Sequence, residues 1–112
     1  MEELPVVAAT YEVYKKLISL HTSLDKKYRY VLGEAAVKSC GDLLEQLLFA
    51  KQAPKAMKAS YLIKADALAE LTALKIRAML ELKLANETNL LKLQARLSET
   101  RRMLGGWRKS LT

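Results

Sequence analysis

The C-terminal segment carries Leu90, Leu93, Leu97, Thr100, Leu104, Trp107 and Leu111, spaced alternately by three and four residues. That spacing returns every member to one side of an α-helix and is incompatible with a strand, whose faces alternate every second residue. The alternating period is also that of helices packing knobs into holes, so the segment predicts one member of a helical bundle. Composition points the same way. Apolar residues make up 51% of the chain but aromatic ones only 6%, so the core must be built from Leu, Ala, Val and Ile. Such side chains suit helix packing better than sheets, and four Gly with two Pro supply too few turns for a many-stranded protein. At 112 residues the chain has room for one core. The expected fold is all-α, an antiparallel up-down four-helix bundle in a single domain, 1–112.

Three breaks separate the four helices, which are expected over about 5–21, 29–52, 57–85 and 89–111. Pro5 suits the first turn of helix one, whose inner side carries Val6, Val13, Leu17, Leu20 and Leu24. Ser23 and Asp25 offer capping chemistry in the first connection. In helix two, Glu34, Lys38, Asp42 and Glu45 form a polar stripe, with Leu32, Ala36, Leu43 and Leu47 inward. Gly33 and Gly41 each cost roughly 1 kcal/mol relative to Ala within a helix, which points to close approach of a neighbouring backbone. Ala53 and Pro54 end helix two. Asn86 is expected to stop helix three, with Thr88 or Asn89 capping helix four.

Helix three is apolar over more than one face. Leu62, Ala69, Ile76 and Leu80 make one stripe; Leu68, Leu71, Ala78 and Leu82 make another. A helix apolar around most of its circumference is buried on several sides, so the second stripe is the expected oligomer interface.

Catalysis needs groups that exchange protons, attack, or hold a metal, and few are present. One His (His21) and one Cys (Cys40) cannot form a Cys/His metal cluster. The three Asp, Asp25, Asp42 and Asp66, lie in different segments, and no Glu-x-x-His pair occurs on a helix. Gly105 and Gly106 lack the following Lys-Ser/Thr of a phosphate loop. No catalytic residue, metal site or cofactor is therefore expected. His21 reads as a C-terminal helix residue and Cys40 as a small core residue; a lone cysteine also fits a reducing compartment. The acidic start of the chain lacks the long apolar run of a secretory signal, and no stretch has the length of a membrane span. The expected location is the cytoplasm, with no membrane partner.

The cations are more informative. Nineteen Lys and Arg against twelve Asp and Glu give a net charge of +7, which attracts polyanions, nucleic acid first. From Thr88 onward, Lys92, Arg96, Arg101, Arg102, Arg108 and Lys109 face the single acid Glu99. Arg101 and Arg108 are seven residues apart, as are Arg102 and Lys109. Seven residues are two turns, about 10.5 Å of rise, so these four cations are expected to form a stripe able to track a phosphate backbone. The same cations also suit the negative end of the helix dipole. A second cluster, Lys26, Lys27 and Arg29, is interleaved with Tyr28 and Tyr30, a pattern that can hold a backbone and stack bases. Tyr pairs at helix starts equally serve packing.

From about Tyr11 to Leu111 the chain resembles the accessory variability determinant (Avd) family of diversity-generating retroelements, within the broader four-helix family of intervening-sequence-encoded proteins. The resemblance is carried by the run Lys27, Tyr28, Arg29, Tyr30, Val31, Leu32, Gly33 entering helix two. A second run, Arg102, Met103, Leu104, Gly105, Gly106, Trp107 and on to Leu111, adds to it. It implies a homopentamer of four-helix protomers forming a basic barrel. It also implies a role beside a reverse transcriptase, as a non-catalytic subunit binding the polymerase and template RNA, and DNA as a further partner. The alternative is a scaffold of the broader four-helix family with no tie to a reverse transcriptase. No small-molecule substrate is expected.

Overall fold

A computed structural model describes residues 4–112 of the chain. Four long helices pack side by side. The first, α1 (Pro5–His21), opens with Pro5 in its first turn, where a missing N–H costs nothing. Its last turn is closed by side chains: the Thr22 and Ser23 hydroxyls donate to the carbonyls of Ser19 (2.9 Å) and Leu20 (2.7 Å). His21 Nδ1 donates to the Ile18 carbonyl at 2.6 Å.

The second helix, α2, is continuous through three stretches, Lys26–Tyr28, Arg29–Glu34 and Ala35–Gln52. It begins three residues before the expected position because the Asp25 carbonyl already accepts from the backbone N–H of Tyr28 and Arg29. Arg29–Glu34 is wound as a π-helix, which periodicity did not reveal. Here Gly33 is buried against the end of α1, and an added Cβ would lie 2.8 Å from His21 Cβ. Gly41 instead packs on the Tyr14 ring, a side chain, so the close approach of a neighbouring backbone expected of both glycines is met at Gly33 alone. Where the α pattern resumes, Lys75 of the third helix donates to the Ala35 carbonyl at 2.9 Å. An outside donor thus serves a carbonyl at the junction where the hydrogen-bond register changes. Ala53 turns extended before Pro54, as expected of a residue preceding proline.

The third helix, α3 (Lys55–Glu81), stops four residues short of the expected Ala85. The Leu84 N–H bonds the Met79 carbonyl and the Lys83 N–H bonds that of Leu80, the double closure of a Schellman motif. Lys83 takes the left-handed position (φ 55°) that glycine usually fills, so composition did not mark this stop. Asn86 consequently serves the next helix: its Oδ1 accepts from the Asn89 N–H at 3.0 Å, capping α4 (Glu87–Ser110). The cap falls on Asn86 rather than on Thr88 or Asn89.

Neighbouring helices run antiparallel. Between α1 and α2, Tyr14 meets Gly41 while the later His21 meets the earlier Gly33. Between α2 and α3, Ala35 pairs with Lys75, Ser39 with Thr72 and Ala50 with Lys58. Each helix packs on its chain neighbours, and α1 closes the ring against α4. The long dimension of 44 Å is about that of the 27-residue α3 at 1.5 Å per residue.

The core is aliphatic, with Val13, Leu17, Leu43, Leu47, Leu62, Ile76, Leu90, Leu97 and Leu104 inaccessible or nearly so. The α4 seam lies inward as its spacing predicts, Trp107 and Leu111 being partly covered at its end. Each helix also buries one hydroxyl: Thr10, Ser39, Thr72 and Thr100. Ser39 and Thr72 bond each other across α2 and α3 at 2.7 Å. Thr100 Oγ1 has no partner.

Candidate nucleic-acid interface

The four α4 cations expected to form one stripe differ in their surroundings. Arg108 reaches across to α3, where Nη1 donates to Asp66 Oδ2 at 2.9 Å. Arg102 is held by Glu99 one turn back, Nε to Oε2 at 2.9 Å and Nη2 to Oε1. The hydrogen bond to Arg102 holds the Glu99 carboxyl below its ordinary pKa, so this acid is ionised throughout the neutral range. Arg101 and Lys109 make no ion pair with any described residue. Half of the stripe is thus balanced within the chain. The Glu99–Arg102 spacing of three residues was a readable local signal; Asp66, forty-two residues from Arg108, was not.

The cluster in the first connection is likewise divided. Arg29 Nη2 donates to the carbonyls of Thr22 (3.3 Å) and Leu24 (3.2 Å), closing the link between α1 and α2. Its guanidinium therefore serves the fold. Lys27 lies over the Tyr28 ring, its Nζ 5.1 Å from the centroid, and Lys26 is exposed. Tyr30 is 77% exposed on the π-wound turn, the most open aromatic ring of the described chain.

A different group of cations comes together between α1 and α4. Lys16, Ser19 and Ser23 from α1 and its connection face Asn89, Lys92 and Arg96 from α4 across a groove of roughly 460 Å³, floored by Leu20 and Leu93. Among the described residues no carboxylate lines it, and none of the three cations is in an ion pair. Glu12 is the acid whose charge Arg96 and Lys16 feel, and it is bound to Lys15 at 2.9 Å. The groove follows from antiparallel packing, which sets the end of α1 beside the start of α4. Arg96 was singled out by sequence, whereas Lys16 and Lys92 lie seventy-six residues apart and share no local pattern. Chemically, the groove offers three cations, two hydroxyls and an amide to an anion with several oxygens.

The outer face of α3 is also distinctive. Leu68 lies one turn from buried Ala65 and Thr72 and packs on the core, and Ala78 is partly covered. Leu71 and Leu82 are 42% and 55% exposed, and Leu82 follows the end of the helix. At 100° per residue the second apolar stripe does fall on one side of α3, but Leu68 sits at its core-ward edge and is partly covered, so the stripe is not the most exposed line. The outward seam is instead Ile63, Ala67, Leu71, Leu74 and Ala78, again spaced by threes and fours.

Among the described residues no group of three or more His, Cys, Asp or Glu could hold a metal ion. Burial pushes the Cys40 thiol up to about 12, so it carries no thiolate at neutral pH. No described helix is long and apolar enough to cross a membrane. Fold and surface together define a basic four-helix protein. Compared with protein-family models and with curated proteins, the chain gives no match.

Proposed function

We propose that this protein is a non-catalytic nucleic-acid-binding subunit that works beside a reverse transcriptase, in the manner of the accessory proteins of diversity-generating retroelements. The observation that carries the nucleic-acid reading is the groove of Lys16, Lys92 and Arg96, three cations from two helices with no ion pair and no lining carboxylate among the described residues. Arg101 and Lys109 lie on the opposite flank of α4, on the side of Arg108, and form a separate positive surface. The ligand is single-stranded template RNA, with DNA as a second polyanion of the same chemistry. The tie to a reverse transcriptase rests on the resemblance of the Lys27–Gly33 and Arg102–Leu111 runs.

Anisotropy with a labelled random-sequence RNA tests the binding claim. Neutralising three phosphates predicts an affinity loss of about twentyfold between about 50 and 200 mM salt. The triple variant Lys16→Glu, Lys92→Glu, Arg96→Glu should lose binding while keeping its helicity. Absence of RNA binding at low salt would defeat the proposal and favour a protein scaffold. Co-purification with a reverse transcriptase of this class tests the partner.

The outward α3 seam supports self-assembly, and the resemblance implies five copies. Leu74 is 51% exposed at its centre, so Leu74→Glu should lower the mass measured by light scattering. A wild-type monomer at micromolar concentration would overturn the assembly.

A further inference from the structure

At the end of the bundle where α1 starts and α4 finishes lies a second, chemically different concavity. It measures roughly 450 Å³ and is walled by Leu4, Val6, Met103 and Trp107, with Lys51 and Lys58 at its polar side. Antiparallel packing again explains the grouping, since the end of α2 and the start of α3 reach this same end. The apolar walls belong to the fold: Val6 is 5% exposed, and Leu4, Met103 and Trp107 pack on the core.

The two lysines differ. Lys58 Nζ donates to the carbonyls of Ala50 (2.7 Å) and Lys51 (3.1 Å), which fixes a positive charge at the end of α2. Lys51 makes no hydrogen bond or ion pair through its ammonium with any described residue. No carboxylate among the described residues lines the cleft. We propose that this cleft binds a small amphipathic monocarboxylate, its apolar tail against Trp107, Met103, Leu4 and Val6 and its carboxylate at Lys51.

The volume falls within the roughly 300–1,000 Å³ of small-molecule sites, which combine apolar walls with a few placed polar groups. Charge selects the head group. Two lysines, with no acid among the described residues beside them, repel a cation, and a neutral alkane leaves them unused. A nucleotide needs several polar partners for its base and sugar, and these walls supply none. The site shares no residue with the α1–α4 groove, so it stands or falls independently of nucleic-acid binding.

Trp107 is the chain's single tryptophan, so its emission reports the cleft directly. The experiment titrates the intact protein with decanoate, below its micelle concentration, and in parallel with decanol. Decanoate should give a saturable blue shift, with an affinity about fivefold above that of decanol, the scale of one partly exposed ion pair. Lys51→Gln should remove that preference while leaving the decanol response and the helicity unchanged. No saturable shift, or equal affinities for the two ligands, or a preference unaltered by Lys51→Gln, would overturn the proposal.

Discussion

The same chemical change, glycine to alanine, should have opposite signs at two places in this chain. Gly105 and Gly106 sit within α4 with no heavy atom within 4 Å of an added Cβ. Alanine there restricts the unfolded chain and suits the helix, so each substitution should stabilise by about 0.5–1 kcal/mol. At Gly33 an added Cβ would lie 2.8 Å from His21 Cβ, 3.0 Å from Leu24 Cδ1 and 3.4 Å from His21 Cα. Ordinary carbon contacts are about 3.5–4.0 Å, so the end of α1 must retreat by about 0.7 Å. The nearest atom is joined directly to backbone and cannot rotate away. Overpacking of this kind costs about 1–3 kcal/mol, which outweighs the helical gain and leaves Gly33→Ala about 1–2 kcal/mol less stable. Urea unfolding followed by far-UV circular dichroism, at one protein concentration for all variants, measures each change. Stabilisation of Gly33→Ala to the degree of Gly105→Ala would refute close approach as the reason for this glycine.

Thr100 Oγ1 is buried without a partner, so Thr100→Val should raise stability by about 1 kcal/mol in the same assay. Thr72→Val should lower it by a similar amount, because Ser39 would lose its 2.7 Å bond. Cys40 predicts an alkaline effect whose sign is set by burial. Its folded pKa is raised from 9.0 to about 12, so the unfolded thiol ionises first and stability falls as pH rises through that window. At pH about 10.5 the loss from this group approaches about 2 kcal/mol, and Cys40→Ala should remove that part of the pH slope.

Helical periodicity, proline breaks and charge were legible along the chain because each depends on residues within a turn or two, whereas the caps were misplaced: Asn86, not Thr88 or Asn89, caps α4. The α4 seam from Leu90 to Leu104, the break at Pro54 and the close approach at Gly33 were all visible in this way. The Schellman stop at Lys83 was not, since a lysine in a left-handed position carries no compositional mark. Nor was the π-wound turn, which arises where α2 meets the end of α1.

The candidate site divides along the same line. Sequence alone determined that the chain is helical, aliphatic at its core and strongly basic, and that α4 is rich in arginine. Tertiary structure decided which of those charges are balanced. Arg108 meets Asp66 and Arg29 closes a loop, while Lys16 joins Lys92 and Arg96 across a groove. Periodicity places a side chain on a face of its own helix. Which charge stands opposite it depends on the register between helices, and that is settled only when the core packs.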